Sequence, residues 1–580
     1  MQKYLMPSNL ARAAFHPIVL CAAAFIAILP MLLGGASCGH DFSFHLINWQ
    51  EAASQFTHFG YPHWAFTPGW GAGEPRFIFY PPLSWSLGAV LGLILPWKFV
   101  PIAFTWIALA LSSVTMHRVA SRFTSPNAAL LAATLYLANP YMLFTAYERT
   151  AYGELLAAAW MPLLFATALA TRVRIVPIAI ALALIWLTNA PAGVMASYSL
   201  ALITLIRLCT PSLASRLRLA TTVATGTILA FALAAFYLAP AIYEQRFVQI
   251  KMAIVLGVRP IDNFLFHKMP ANDYHNDVVR SASIVALTLL AGIAVALFFA
   301  HSHEKTCHPS RGGGPAFEPL PLLPLVLLTL LIAFQLTPLS LVFWDHVPKL
   351  AFLQFPWRLC AILSVILALT AAVALKEKLS TLPSSRAGSP ANAFGSLGWL
   401  FALPCLCLTA ALVLPTWHSY RQACDANSSV AALVTVFHSN VGVDPTDEYT
   451  PIGADGDAIK QDSPPYWLIP SGTNINSQPP ANAVPGPAPN HLNLDLPAPE
   501  TLVLNRRQYP LWQIRDNGKV IAPAVPERLD GLIAIPLPAG PATIDLAWTP
   551  IPYETTGLVI SNLAWITCVF IYRRRDSLQQ

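Results

Sequence analysis

One acid and two imidazoles stand together directly after the first long apolar segment, in the stretch Gly39-His40-Asp41-Phe42-Ser43-Phe44-His45. A carboxylate at a membrane boundary can act as a general base on a hydroxyl group that attacks an electrophilic carbon. His45 follows Asp41 by four positions, so a helix would place both side chains on one face. Such a pair could position a substrate or hold a divalent metal ion beside a phosphate leaving group. The simpler alternative is that Asp41 caps the start of a helix.

Charged residues also stand at the ends of later apolar segments. Arg149 and Glu154 lie within Tyr147-Glu148-Arg149-Thr150-Ala151-Tyr152-Gly153-Glu154, and Arg358 follows Phe355-Pro356-Trp357. Charges at such positions are costly when buried and are often functional. A guanidinium group binds phosphate through two parallel hydrogen bonds, so Arg358 suits a lipid phosphate. The alternatives are that the arginine reaches lipid head groups and that Glu154 complements a helix dipole.

Aromatic residues crowd the segment 37–82, which ends in Phe77-Ile78-Phe79-Tyr80-Pro81-Pro82. Three glycines, Gly69, Gly71 and Gly73, interrupt the aromatic residues. Tryptophan and tyrosine favour the membrane interface, so an aromatic belt is one interpretation. Aromatic faces on a glycine-bent backbone would equally suit a sugar or a prenyl chain.

The composition is that of a membrane protein with many spans. Of its 580 residues, 55% are hydrophobic and 11% are charged, against about 25% charged in an ordinary soluble domain. Apolar runs of about 20 residues recur, and each can cross about 30 Å of hydrocarbon as a helix. The predicted fold class is therefore mainly α, a bundle of about 12 transmembrane helices. We predict them at roughly residues 17–35, 99–117, 127–145, 154–171, 175–190, 192–208, 219–240, 283–300, 319–338, 357–375, 396–415 and 555–572.

Basic residues in the short loops set the predicted orientation. The loops that follow the even-numbered spans carry most of them, and the positive-inside rule places such loops in the cytoplasm. They are Arg118, Arg122, Arg172, Arg174, Arg207, Arg216, Arg218, Lys376, Lys378, Arg386, Arg573, Arg574 and Arg575. Both termini are then cytoplasmic, although the outer loop 241–282 is also basic, against the rule. The net charge of +6 reflects these loops, and we predict no nucleic-acid partner.

Three features qualify the topology. If the apolar segment 83–95 crossed the membrane, the orientation of every later span would be reversed, so we interpret this segment as re-entrant or interfacial. The first apolar segment is long for a signal peptide, and we expect it to remain as a membrane anchor. Of the nine cysteines, only Cys38 and Cys424 are placed outside. This placement allows one disulfide between them but does not indicate that it forms.

The chain divides into three predicted domains. Residues 1–415 form the helical membrane domain with its first outer loop at 37–82, and residues 554–580 form the last span and a basic cytoplasmic tail. Between them, residues 416–553 form an extracytoplasmic domain, linker-rich over 416–499 and β-rich over 500–553. Alternating apolar residues and the hairpin signal Asn517-Gly518 predict a small antiparallel β-sandwich there.

The order of these motifs resembles a family. An acid after the first span, Tyr80-Pro81-Pro82-Leu83, the Arg149/Glu154 pair, Phe355-Pro356-Trp357-Arg358, Asp447-Glu448-Tyr449-Thr450-Pro451 and Tyr509-Pro510-Leu511-Trp512 follow one another. Together they resemble the bacterial polytopic proteins described as 6-pyruvoyl-tetrahydropterin synthase-related membrane proteins, which in turn resemble the GT-C superfamily of glycosyltransferases. The pterin description itself finds no support, because the chain offers no clustered histidine ligands in a soluble fold.

Similarity to GT-C enzymes implies an integral membrane glycosyltransferase of the bacterial inner membrane. Its donor would be a polyprenyl-phosphate-linked sugar, its acceptor a glycan or polymer, and its active site would face outward among membrane lipids. The catalytic base then falls on Asp41. His45, Tyr80, Arg149, Glu154 and Arg358 would bind substrate, with the two arginines on the donor phosphate. The first loop lacks the Asp-x-Asp pair of many GT-C members, so a divalent metal cofactor stays open.

Two other functions stay open beside the transferase. A transporter or flippase of a lipid-linked intermediate would line a path with the same charges, and it would place them near the bilayer midplane. A non-catalytic assembly subunit of the cell envelope would need the β-rich domain and tolerate the loss of Asp41. The candidate polar residues gather at the outer boundary, which favours the enzyme.

Overall fold

The computed structural model describes residues 7–58, 60–209, 213–306, 317–375, 396–523 and 527–576. Lys376, Lys378 and Arg386, on which part of the predicted orientation rests, lie outside these residues, as do both chain ends. The helices are α1 (Pro7–Gly34), α2 (Phe42–Thr57), α3 (Arg76–Phe79), α4 (Pro82–Ile94), α5 (Val100–Ala120), α6 (Pro126–Ala138), α7 (Pro140–Tyr147), α8 (Tyr152–Ala157), α9 (Met161–Leu169), α10 (Ile175–Thr188), α11 (Ala190–Leu208), α12 (Leu213–Leu233), α13 (Ala235–Glu244), α14 (Asp273–Thr306), α15 (Leu322–Gln335), α16 (Leu341–His346), α17 (Cys360–Ala374), α18 (Ser396–Tyr420), α19 (Val430–His438) and α20 (Pro552–Asp576).

The predicted membrane bundle is confirmed. Ten stretches of helix in the described residues are long and apolar enough to cross a membrane, and each lies at a predicted span. The predicted span 319–338 is a bent pair instead, α15 followed by a helical segment turned by 96°. The predicted span 175–190 is the 14-residue helix α10, shorter than the ten. The segment 83–95 forms α4, a helix of 13 residues, and at about 1.5 Å per residue it is too short to span the bilayer unaided.

Caps within the bundle break the apolar sequence into separate helices. The Asn189 side chain lies between α10 and α11 and accepts a hydrogen bond from the Ala192 N–H at 2.9 Å. Asn139 does the same between α6 and α7, where its Oδ1 accepts from the Tyr141 N–H at 3.0 Å. An asparagine cap followed by proline starts a helix without leaving its first donors unpaired. These breaks fix where α6 and α10 end and where α7 and α11 begin.

The segment 416–553 contains a β-sandwich. Its seven antiparallel strands are β1 (Tyr466–Pro470), β2 (His491–Leu496), β3 (Glu500–Arg507), β4 (Trp512–Asp516), β5 (Lys519–Ile521), β6 (Leu532–Leu537) and β7 (Gly540–Trp548). One sheet has the order β1-β3-β6 and the other β2-β7-β4-β5. Leu502, Leu504 and Ile535 of the first sheet pack against Ile544 and Leu546 of the second. Strands β1 and β2 lie in the half that the sequence had assigned to linker.

The other face of the three-stranded sheet covers the first outer loop. Val503 of β3 packs with Ala72, and the Arg507 N–H donates to the Ala72 carbonyl at 3.1 Å. The Asn505 amide donates to the Trp70 carbonyl at 3.1 Å. A disulfide between Cys38 and Cys424 joins the end of α1 to the chain just after α18. The first loop is therefore held between the membrane bundle and the sandwich.

Candidate functional site

Asp41 begins α2 and is held there by its backbone. Its N–H donates to the Arg149 carbonyl at 3.0 Å, and its own carbonyl accepts the His45 N–H at 3.0 Å. The side chain makes no capping hydrogen bond, although the residue occupies the capping position. The carboxylate is partly exposed and accepts no hydrogen bond from any described residue. The capping alternative therefore accounts for the position of Asp41 in the helix but not for its side chain.

Gly39 allows this close approach. A β-carbon at this position would lie 2.0 Å from the Glu148 carbonyl oxygen and 2.7 Å from its carbonyl carbon. Backbone cannot yield as a flexible side chain can, so a larger residue would push the first loop away from the segment 148–150. Gly39 thus sets the distance between Asp41 and Arg149.

Four buried residues, which we call the Glu154 cluster, lie beside Asp41: Tyr141, Arg149, Glu154 and Arg358. Arg149 Nη1 donates to Glu154 Oε2 at 2.7 Å, and Arg358 Nε lies 3.6 Å from the same oxygen. The other oxygen, Oε1, accepts a hydrogen bond from the Tyr141 hydroxyl. One carboxylate therefore serves two guanidinium groups, and both of its oxygens are occupied. The sequence placed Arg149 and Glu154 near each other and gave no sign of Tyr141.

Aromatic rings and carbonyls hold the two guanidinium groups in place. Arg149 lies 4.9 Å from the centre of the Trp357 ring, and Arg358 lies 4.8 Å from that of Phe355. The two rings stack on each other at 4.8 Å and 7°. Arg358 Nη1 also donates to the Leu353 carbonyl at 3.0 Å, whereas its buried Nε has no hydrogen-bond acceptor among the described residues. The arginines are thus pre-positioned, which lowers the entropic cost of binding an anion.

His45 follows Asp41 by one turn of α2, and its side chain points into the protein. It is 1% exposed and packs against Tyr80 and Tyr152, with Nε2 3.5 Å from the Tyr80 hydroxyl oxygen. Burial lowers the pKa of His45 to about 4, although the charge of Asp41 acts in the opposite direction. A neutral imidazole in this position supports the Tyr80 ring at the edge of the site. Burial also raises the pKa of Tyr80, with the charge of Asp41 adding to the effect, so its hydroxyl stays protonated.

The charge of Asp41 acts on the rest of the site. It interacts electrostatically with Arg149 and Arg358 as well as with His45 and Tyr80. The structure therefore brings all six residues singled out from the sequence into one region, with Asp41 at its accessible edge and Glu154 at its centre.

A second polar layer joins Glu148 and His40, which lie in stretches singled out from the sequence, to Gln422, which the sequence reasoning missed. Gln422 donates hydrogen bonds to both carboxylate oxygens of Glu148 at 2.8 Å, and His40 Nε2 lies 3.9 Å from Glu148. Burial raises the pKa of Glu148, while the hydrogen bonds from Gln422 act against the rise. Gln422 lies just after α18, two residues before Cys424. Only the pairing of Cys424 with Cys38 could have indicated from the sequence that Gln422 lies near Glu148.

The sequence left open whether the site holds a divalent metal ion. Within the described residues, no group of three or more His, Cys, Asp or Glu side chains converges to hold one. Asp41 and His45 do not form a ligand pair either, because His45 is enclosed by aromatic rings. The residues of this site do not fit a metal centre, and the chemistry is derived from the side chains alone.

Comparisons with known proteins give distant structural similarities. No protein-family model and no curated protein sequence matches the chain. A mutant form of arabinofuranosyltransferase AftD from Mycobacteria is 16% identical at a TM-score of 0.43, over 96% of this chain and 42% of that one. AftD itself is 16% identical at 0.41, over 92% and 40%. The oligosaccharyltransferase of Archaeoglobus fulgidus in its apo form is 16% identical at 0.35, over 71% and 57%.

The chain spans less than two thirds of the length of each of these solved structures. Similarities with TM-scores below 0.5 do not fix the fold family or the activity of the chain. The resemblance to the pterin-synthase-related membrane family likewise stays a prediction.

Proposed function

We propose that this protein is a membrane glycosyltransferase of GT-C type, with Asp41 as its catalytic base. The observation that carries the proposal is the arrangement of the two carboxylates. Glu154 is buried and engaged with two arginines and a tyrosine, whereas Asp41 lies partly exposed beside them without a hydrogen-bond donor among the described residues. A general base needs a free lone pair that a substrate can reach, and the partly exposed, unbonded carboxylate of Asp41 supports this assignment.

In the proposed reaction the donor is a sugar linked to a polyprenyl phosphate. Asp41 takes the proton of an acceptor hydroxyl as that oxygen forms a bond to the anomeric carbon. The bond from the anomeric carbon to the phosphate oxygen breaks, and its electron pair leaves with the lipid phosphate. The sugar passes to the acceptor, and the proton stays on Asp41 until solvent removes it.

Arg149 and Arg358 would stabilise the leaving phosphate. Two guanidinium groups share one carboxylate in the Glu154 cluster, so the buried part of the site carries a net positive charge. Arg358 Nε is a buried donor without an acceptor among the described residues. Donors fixed before the reaction stabilise the charge that develops on a leaving group without reorganising. Tyr80 would border the sugar, and His45 would hold Tyr80 in place.

The proposed location is the bacterial inner membrane, with the site and the β-sandwich outside and both termini in the cytoplasm. The Cys38–Cys424 disulfide supports the outer placement, because disulfides persist in oxidising compartments. The sandwich covers the first loop, and we assign it the glycan or polymer acceptor. Membrane lipid would surround the bundle and deliver the donor.

The test compares wild type with Asp41→Asn in proteoliposomes supplied with radiolabelled polyprenyl-phosphate sugars and an endogenous glycan extract. We expect the substitution to slow transfer by roughly 10²–10⁴-fold, the usual contribution of a positioned general base. Asp462→Asn, a change of the same kind at an exposed residue of the outer domain, should transfer at the wild-type rate. Equal transfer by wild type and Asp41→Asn would remove Asp41 from the mechanism.

A flippase would behave differently in the same vesicles. It would move labelled lipid between leaflets without joining the sugar to an acceptor. Lipid movement without transfer, for every donor supplied, would replace the transferase proposal with the transporter.

A further inference from the structure

A large basic cavity lies at the other end of the bundle from Asp41. It has a volume of ≈ 840 Å³ and is formed by the α9–α10 loop, the end of α11 and the starts of α12 and α15. The candidate span Tyr152–Leu169 has Glu154 near one end and this cavity beyond the other. Its 18 residues correspond to roughly 27 Å of helix at about 1.5 Å per residue. The cavity is therefore separate from the Asp41 site.

Three arginines line this cavity: Arg172, Arg207 and Arg218. Arg207 is fixed by backbone carbonyls, since its Nη1 donates to Ala168 and its Nη2 donates to Ala170 at 2.9 Å. Carbonyls orient a guanidinium group without neutralising it. No described carboxylate lies within ion-pairing distance of Arg172 or Arg218. The cavity wall is a cluster of positive charge that the carboxylates of the described residues do not balance.

A second cavity of ≈ 380 Å³ shares Arg172 in its wall and extends the positive charge. It adds Arg122 and Arg174, and its one acid, Glu318, lies 3.3 Å from Arg122 Nη2. Five arginines therefore face one carboxylate across the two cavities. Clustered charge of one sign costs stability through self-repulsion, and an anion bound there would relieve it.

Apolar side chains at the rim indicate the nature of that anion. Leu323 of α15 lines the cavity and is exposed, and Leu213 and Leu217, on the helix α12 that carries Arg218, are exposed as well. Leucines on the outside of a membrane bundle contact acyl chains, and basic pockets between transmembrane helices bind phosphate-bearing head groups. We propose that this cavity binds an anionic phospholipid, with its phosphate on Arg172 and Arg218 and its acyl chains along α12 and α15.

The test measures lipid binding by native mass spectrometry on the purified full chain. The protein is titrated with phosphatidylglycerol or phosphatidylcholine in neutral detergent. The variant R172Q/R218Q removes two exposed charges from the cavity. The control R118Q/R216Q removes two exposed arginines that line neither cavity. We expect wild type and control to hold phosphatidylglycerol equally, and R172Q/R218Q to bind it roughly 30-fold more weakly, since each basic residue contributes about fivefold.

Several results would overturn the proposal. Equal phosphatidylglycerol affinity in the two double variants would show that the charge of the cavity is not used. Binding of phosphatidylcholine as tightly as phosphatidylglycerol would show that the cavity does not recognise the charge of the head group. Displacement of the lipid by glycerol 3-phosphate at the same concentration would assign the cavity to a soluble phosphate compound instead.

Salt provides a measurement that needs no variant. Phosphatidylglycerol held through guanidinium groups should be lost from wild type between about 0.05 M and about 0.5 M salt, as screening shortens the reach of the charges. Retention that does not change over this range would contradict the proposal even if R172Q/R218Q fails to fold.

Discussion

Glu154→Gln should destabilise the protein strongly, although it changes one atom. Glu154 is 5% exposed, and its carboxylate lies 2.7 Å from Arg149 Nη1 and 3.6 Å from Arg358 Nε. At an effective dielectric constant of about 20, unit charges at these separations attract by about 6 and about 5 kcal/mol. Desolvation of the three groups and repulsion between the arginines cancel much of this attraction. Breaking a buried ion pair by removing one partner typically costs about 3–5 kcal/mol, and we expect a loss of that size.

The assay is reversible unfolding of the purified protein in mixed micelles with increasing denaturing detergent. Glu318→Gln is the matched control, because Glu318 also pairs with an arginine, at 3.3 Å, but the two side chains are 42% and 39% exposed. An exposed ion pair contributes about 0–1 kcal/mol, so this control should unfold near wild type. The double variant E154Q/R149Q removes one charge of each sign and should recover part of the loss.

The outcome that refutes the reasoning is equal unfolding free energy for Glu154→Gln and Glu318→Gln. The shared carboxylate would then not be what holds the two arginines. The reasoning would also fail if E154Q/R149Q were less stable than Glu154→Gln by the full cost of Arg149→Gln alone. The two substitutions would then be additive, which means that Glu154 and Arg149 do not stabilise each other.

Two further predictions concern the first loop and its junction with the outer domain. Gly39→Ala should lower the free energy of unfolding by about 1–3 kcal/mol and lower transfer activity, because the new methyl group meets the Glu148 backbone. Gly60→Ala is the control, since its β-carbon would meet only the Gln55 carbonyl at 3.5 Å. It should change neither quantity in the same unfolding and transfer assays. Burial raises the pKa of Glu244 from 4.5 to about 7, so its favourable contribution is complete below pH 4.5 and is lost as the pH rises through about 7. The protein should thus be about 2 kcal/mol less stable at pH 8 than at pH 5.5 on this account, and an unchanged difference in Glu244→Gln would assign the pH dependence elsewhere.

The membrane bundle could be predicted because its signals are local. Apolar runs gave the spans, and the break at Thr188-Asn189-Ala190-Pro191 is where α10 ends and α11 begins. Asn517 and Gly518 have φ of 47° and 80°, as the hairpin signal requires. The bend after α15 was not predicted, since hydropathy measures length along the sequence but not the direction of the chain.

Strands β1 and β2 were missed for a different reason. Each lies between segments rich in proline and asparagine, which reduce the strand signal of the whole region. β2 nevertheless reads His491-Leu492-Asn493-Leu494-Asp495-Leu496, an alternation that pairs over its whole length with Gly540–Asp545 of β7. A shorter sequence window would have found it.

The candidate site was predictable in its members but not in its contacts. Spacing along α2 placed Asp41 and His45 on one side of a helix, yet it could not show that His45 faces Tyr80 and Tyr152 in the interior. Arg149 and Glu154 are five residues apart, so their pairing is local. Arg358 joins them from 204 positions beyond Glu154, and only the packing of α17 against α6 and α7 brings it there.

The contacts of the two carboxylates are the reason that we propose Asp41, and not Glu154, as the base. Glu154 gives both oxygens to Tyr141, Arg149 and Arg358, and a proton taken up there would release two buried cations from their partner. Asp41 is positioned by hydrogen bonds of its backbone to Arg149 and His45, which leaves its side chain unused. In the proposed reaction, protonation of Asp41 would therefore break no described hydrogen bond of its carboxylate. A stable ion cluster beside a backbone-anchored acid lets the site change charge by one proton without losing its structure.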